Sequence, residues 1–292
     1  MIVLTTPTGQ IGRLLLAALT TAGADLRVIA RDPARLTPAV RGAVDVVPGS
    51  HADPDVLDKA FSGADQVFWL VPPAPSAPTY RAHFDAFTTP LTKALTAHAV
   101  RRVVTVSTLG RGIARDAGLI SATLDLDDAI RATGVAHRAV CPPFLMENLL
   151  RQADAIRDTG VLRLPSLRDR VLRTCAVADV AGTSARLLLD GTWSGQRDVP
   201  VVGPDTLTPE GMATTLGEVL GRHITFEQAT LPDQAESLRR TGAPEGWIQG
   251  MTDMTRALNE QDFYGSSAPS TPANAPTGLR AWAKAHLSSS IR

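Results

Sequence analysis

The run Thr5-Thr6-Pro7-Thr8-Gly9-Gln10-Ile11-Gly12 is where residue types and spacing first point to chemistry. It joins a short apolar stretch, Ile2 to Leu4, to a segment whose Ile11, Leu14, Leu15, Ala18, Leu19 and Ala22 share one helical face and which stops at Gly23. A strand that turns through glycines into a helix presents free backbone N–H groups and the positive end of the helix dipole, and both suit a pyrophosphate. Gly9 lets the backbone approach the phosphates, and Gly12 lets the helix pack closely. The pattern T-G-x-x-G-x-x-G would put glycine at position 6, where this chain has Thr6, so a narrower turn is expected. The same glycines would also serve a plain strand-turn-helix with no ligand.

The second strand carries a cofactor-choice signal. A site selective for NAD ends that strand on a carboxylate that holds the ribose 2′-OH. Here the strand Leu26 to Ala30 is followed by Arg31, with Arg35 one turn on. A guanidinium pairs well with a 2′-phosphate, which favours NADPH.

Acid–base candidates are sparse. The chain has two tyrosines, Tyr80 and Tyr264, and neither precedes a lysine by four. Tyr80 follows the fourth strand and is a candidate proton donor, although a plain loop tyrosine fits the same position. Trp247 and Met251 lie four apart and share a helix face, as a substrate wall or as a packing stripe. His51 should lie far from the reacting end of a dinucleotide, His137 at the amino end of a strand reads as structural, Asp179 as a helix-end or inter-lobe contact, and Glu147 as facing solvent or substrate. Cys141 and Cys175 read as buried thiols, with no disulfide framework and no metal-ligand spacing.

Positioning these residues needs alternating strands and helices. Apolar runs at Leu26 to Ala30, Val44 to Val47, Gln66 to Val71, Arg102 to Val106 and Ala136 to Cys141 predict strands. Asp53-Pro54 opens a helix, a long helix runs from Tyr80 to about Ala99, and Asp125 to Ala132 is helical. Such βα units predict an α/β, Rossmann-type doubly wound parallel sheet over residues 1–150. Residues 151–292 are expected to form a smaller α+β substrate-binding lobe, interleaved with the core. It should carry strands at Leu172 to Ala176, Val199 to Val202 and Ile224 to Gln228. Helices should run over Val177 to Leu189, from Pro209 to near Gly221, through Trp247 and over Leu279 to Leu287. The Pro- and Ser-rich run from Gly265 to Thr277 should connect.

Read together, TTPTGQIG, VIARDPARL, VVTVSTLG, AVCPPFLMENLL, AVADVAGTSARLLLD and VVGPDTLTPEGMATTLGEVLGRHITF resemble the NmrA-like branch of the atypical short-chain dehydrogenases/reductases over nearly the whole chain. The resemblance implies a Rossmann sheet with a C-terminal lobe and a cleft between them. It implies that Thr8, Gly9, Gln10, Ile11 and Gly12 surround the pyrophosphate and that Arg31 faces the adenosine phosphate. Val71, Pro72, Pro73, Ser107 and Thr108 would flank the ribose and nicotinamide, Pro142, Pro143 and Phe144 would border the nicotinamide, and Met146 and Asn148 would approach the substrate. Typical short-chain reductases use a Tyr-x-x-x-Lys pair and a serine. Those positions fall here on Leu119, Thr123 and Ser107, so Ser107 alone survives as a catalytic candidate beside Tyr80. The expected activity is NADPH-dependent reduction of a small, largely apolar quinone, enone, imine or azo compound. A catalytically silent NADP(H) sensor and a non-redox lyase or cyclase are the alternatives.

Totals bound these readings. The 292 residues are 44% hydrophobic and 20% charged, enough for a large core. Lys plus Arg and Asp plus Glu stand at 29 each, without the basic excess of a nucleic-acid binder. The start lacks a signal-peptide pattern and no apolar run is long enough for a bilayer, so a cytoplasmic protein with a small-molecule substrate and no membrane partner is expected, as monomer or dimer.

Overall fold

A computed structural model of the chain describes residues 1–290. The elements in chain order are β1 (Ile2–Leu4), α1 (Gln10–Thr21), β2 (Leu26–Ala30), α2 (Pro38–Ala43), β3 (Asp45–Pro48), α3 (Pro54–Phe61), β4 (Gln66–Trp69), α4 (Tyr80–Ala97), β5 (Arg102–Val106), α5 (Leu119–Ala132) and β6 (Ala136–Cys141). There follow β7 (Phe144–Leu145), α6 (Ala153–Thr159), β8 (Val161–Leu164), β9 (Thr174–Cys175), α7 (Val177–Leu189), β10 (Gln196–Pro200), α8 (Pro209–Leu220), β11 (Thr225–Gln228), α9 (Leu231–Arg240), α10 (Glu245–Gln261) and α11 (Leu279–Ser290).

Seven strands form one parallel sheet in the order β10-β6-β5-β4-β1-β2-β3. The order reverses at β1, between β4 and β2, which is the crevice where open α/β sheets bind ligands. The central strands are apolar because both faces are covered. On one face α3, α4 and α5 bring Leu57, Phe61, Phe87, Leu91, Leu126 and Ile130 onto Val67, Trp69 and Val103. On the other, α1 and α7 bury Leu15, Leu19, Val180 and Leu188 against Leu4, Val28 and Phe68. Helix starts follow their caps: the Asp53 side chain accepts from Asp55 N with Pro54 next, and Thr208 accepts from Gly211 N with Pro209 next.

After residue 150 the chain returns to this sheet layer. Helix α7 packs on α1, and β10 pairs with β6 in register Val199↔Val140. The strand expected at Val199 to Val202 thus begins earlier, at Gln196, and closes the sheet edge. The fourth strand stops at Trp69 rather than Val71, because Pro72 and Pro73 cannot extend it. The strand expected over Leu172 to Ala176 shrinks to β9, which pairs with β7. The short elements α2 and β8, six and four residues long, are too brief to carry a clear period; β8 finds β11 as partner. A separate lobe core joins Met146, Leu149, Ile156, Leu162, Met212, Leu216, Phe226 and Trp282. Among the described residues no helix is long and apolar enough to cross a membrane.

Candidate functional site

The β1–α1 turn is built around Thr6. Its backbone is left-handed, at φ 52°, and its carbonyl accepts the Gly9 N–H at 3.0 Å. A Cβ on Gly12 would collide with that same carbonyl oxygen, while one on Gly9 would sit at an ordinary 3.4 Å. Glycine at 12 is therefore required by the turn itself rather than by the strand. Helix α1 starts at Gly9 with no side chain capping it, so its first N–H groups face the cleft unspent. The buried Thr6 Oγ1 has no hydrogen-bond partner.

A cavity of about 410 Å³ opens over this turn, lined by Thr6, Thr8, Gly9, Arg31, Arg35 and His51 among others. Arg31 and Arg35 are exposed at its rim, and among the described residues neither guanidinium has a carboxylate partner. His51 lies on the floor, 3.1 Å from the Leu70 carbonyl and edge-on to Trp69. Burial lowers its pKa to about 4, so it adds no charge to the cavity at neutral pH. An unpartnered hydroxyl, an open helix start and two free guanidiniums fit the phosphates of a dinucleotide.

The other expected residues stand at the carboxyl ends of neighbouring strands. Val71 and Pro72 follow β4, with the Pro72 carbonyl held by His83 Nε2 at 2.8 Å. Ser107 and Thr108 follow β5, and Pro142 and Pro143 follow β6, all four buried. Phe144 is half-buried, and its N–H is held by the Arg173 carbonyl.

Several expected residues lie elsewhere. Tyr80 is not a loop residue: it opens α4, is 4% exposed and stacks on Trp247 at 3.8 Å between ring centroids. Burial also raises its pKa. Trp247 is likewise spent on packing α10 against α4. Met146 is fully buried in the lobe core, and Asn148 accepts from Arg151 at the surface of that lobe. Glu147 points inward, accepting from Val177 N at 3.0 Å and Trp282 Nε1 at 3.1 Å. Asp179 receives Thr277 Oγ1 at 2.8 Å and so ties the connector to α7.

Two polar clusters escaped the sequence reading. Thr108 Oγ1 meets the hydroxyl of Tyr264, which arrives from the far end of the chain, 2.5 Å away. Ser107 Oγ donates to Asp127, a carboxylate 1% exposed. Asp127 falls on the inward stripe of α5 with Ile120, Thr123 and Ile130, and an acid on an apolar stripe was the signal that could have found it. Tyr264 gave no such signal, because its partner is 156 positions away.

The profile of the NAD(P)H-binding family matches residues 7–190, more than half the chain. The (4-alkanoyl-5-oxo-2,5-dihydrofuran-3-yl)methyl phosphate reductase of Streptomyces griseus is 34% identical over 230 residues, covering 78% of this chain and 77% of that protein. The NAD(P)H azoreductase of Xenophilus azovorans is 27% identical over 291 residues, covering 98% of each. The structure of an NADPH-dependent quinone oxidoreductase from Escherichia coli, complexed with NADPH, superposes with a TM-score of 0.81 at 20% identity, over 98% of this chain and 99% of that one. With a glycine turn at the switch point of a 3-2-1-4-5-6-type sheet, this chain belongs to the NAD(P)H-binding family of Rossmann-fold proteins.

Proposed function

We propose that the protein is an NADPH-dependent reductase of a small, largely apolar acceptor: a quinone, enone, imine or azo compound. The observation that carries the cofactor choice is the pair of unpartnered guanidiniums, Arg31 and Arg35, at the rim of the dinucleotide cavity. The N–H groups of Gln10, Ile11 and Gly12 hold the pyrophosphate. Val71, Pro72, Pro142, Pro143 and Phe144 make an apolar wall that orients the nicotinamide and keeps water out. Bound NADPH supplies a hydride, so the chain needs only to place the acceptor and manage one proton. The reductase activities of the Streptomyces and Xenophilus relatives support this reading.

A second reading, a silent NADP(H) sensor, draws on Leu119 and Thr123, which stand where proton-handling tyrosine and lysine would be; Thr123 Oγ1 is spent on the Leu119 carbonyl. One assay separates the two. NADPH oxidation is followed with a panel of quinones, azo dyes and enones, using Gly9→Val as the control, because position 9 tolerates a Cβ where position 12 does not. Turnover that disappears in Gly9→Val supports the reductase. Tight NADPH binding with no turnover on any acceptor removes it.

A further inference from the structure

We propose that Ser107 hands the proton to the reduced acceptor and that Asp127, buried behind it, resupplies Ser107; the inference rests on the reductase reading. Ser107 directly follows β5 at the carboxyl end of the sheet, the end at which open α/β sheets bind their ligands, and its Oγ–H points at Asp127 Oδ2. Asp127 is one helical turn beyond Thr123 and two beyond Leu119, so it occupies the same inward stripe of α5 that a Tyr-x-x-x-Lys pair would use. The stripe's proton-handling group has moved one turn deeper and reaches the cleft through the serine.

The surroundings make Asp127 the one group in the cluster suited to holding a proton. Its Oδ1 accepts from Thr105 Oγ1 at 3.0 Å, and Thr105 Oγ1 lies 2.9 Å from His137 Nε2. Arg131 Nε donates to His137 Nδ1 at 3.4 Å, so the ring carries its single hydrogen on Nε2 and donates that hydrogen bond to Thr105 Oγ1. His137 is fully buried beside Arg131, Arg111 and Arg138, and burial first, then those charges, hold its pKa near 3. It stays neutral and supplies no proton. Arg111 Nη2 stands 3.3 Å from Asp127 Oδ2, and Arg111 also holds Asp128 at 2.5 Å and Asp198 at 3.2 Å. Asp198 pairs with Arg131 as well. The nearby Cys141 thiol is pushed up by burial and stays protonated. Against these charges, burial raises Asp127 to about 6, within reach of both protonation states under working conditions.

The step balances. Hydride addition leaves the acceptor with an electron pair on oxygen, nitrogen or carbon. The Ser107 O–H bond breaks toward that atom, the Asp127 O–H bond breaks toward Ser107 Oγ, and the carboxylate left behind is met by Arg111. After product leaves, one proton from solvent returns along Ser107 to Asp127. Overall, NADPH, acceptor and one proton become NADP⁺ and the doubly reduced acceptor.

Two measurements test this. With NADPH and an acceptor that the enzyme turns over both at saturation, kcat should fall tenfold per pH unit above about pH 6, because the protonated carboxyl is required. Asp127→Asn should lower kcat about 100-fold, leave KM within twofold and abolish that pH limb. Ser107→Ala should lose as much, and the double variant no more than either single one. Independently of turnover, the carboxyl carbon of Asp127, observed by NMR in the free wild-type protein, should titrate near pH 6, and Ser107→Ala should shift its midpoint upward by removing a bond to the ionised form. This readout holds even where Asp127→Asn fails to fold. A flat kcat profile, a pH limb that survives in Asp127→Asn, or a carboxyl that stays ionised throughout overturns the proposal while leaving the reductase standing. No turnover on any acceptor overturns both, with the titration still reporting on Asp127 alone.

Discussion

Arg31 is the residue on which cofactor choice turns. It is exposed, free of any carboxylate among the described residues, and placed directly after the second strand, on the lining of the cavity. A charged partner of a phosphate is worth about 1–3 kcal/mol. Arg31→Ala should therefore weaken NADPH binding about tenfold to a hundredfold and leave NADH nearly untouched, read by fluorescence titration with both. Equal losses for the two would mean that Arg31 touches something other than the 2′-phosphate. Thr6 works at the same scale in the opposite sense. It holds a left-handed backbone that glycine would take without cost, and its buried hydroxyl has no partner within the protein. A strained residue with an unspent hydrogen-bonding group belongs at a site that a ligand completes.

At the scale of elements, the lobe hangs on a few directed contacts. Helix α7 begins at Ala176 with no side chain of its own to cap it, and Glu147, thirty positions back, caps it through Val177 N while also receiving Trp282 Nε1 from α11. Glu147→Ala should leave a backbone N–H and a buried indole N–H unmatched, costing about 1–3 kcal/mol in urea unfolding. Glu147→Gln, which keeps an acceptor, should cost less; equal costs would show that packing rather than these bonds holds the joint. Such contacts mark the limit of sequence legibility. The turn at Gly9 and Gly12, the strands through Cys141 and the position of Ser107 were readable because each is set by local period or by immediate neighbours. Met146 and Trp247 looked available to a substrate because apolar side chains read alike whether they line a pocket or fill a core; only the partners, Trp282 and Tyr80, decide. Tyr264 and Glu147 draw their roles from residues 156 and 135 positions away, and no spacing rule reaches them; Asp127 left one trace, an acid on the apolar stripe of α5, but its partner Ser107 is 20 positions away.

At the scale of the whole molecule, burying titratable groups makes the fold itself sensitive to pH. His51 has a folded pKa of about 4 against 6.5 for a free imidazole, because burial against Trp69 and Phe87 penalises its charged form. Above pH 6.5 both folded and unfolded chains leave it neutral. Below that, the unfolded chain takes a proton that the folded one refuses, so stability falls as pH drops toward 4. His137 acts in the same direction, being held lower still by burial and Arg131. Asp127 opposes them: its folded pKa lies above the free carboxyl value, so it favours the folded state at low pH, and that contribution fades as pH rises through about 6. Two histidines outweigh one carboxylate, and the melting temperature should fall between pH 7 and pH 5. His51→Gln can still donate to the Leu70 carbonyl but cannot titrate, so it should remove about 1–2 kcal/mol of that loss. Calorimetry on the two proteins at both pH values checks it. A wild-type melting temperature that is unchanged across this interval, or a variant as acid-sensitive as its parent, would show that His51 takes up its proton without unfolding. The cavity floor would then carry a positive charge, and NADPH affinity should rise on acidification, which the same samples can report.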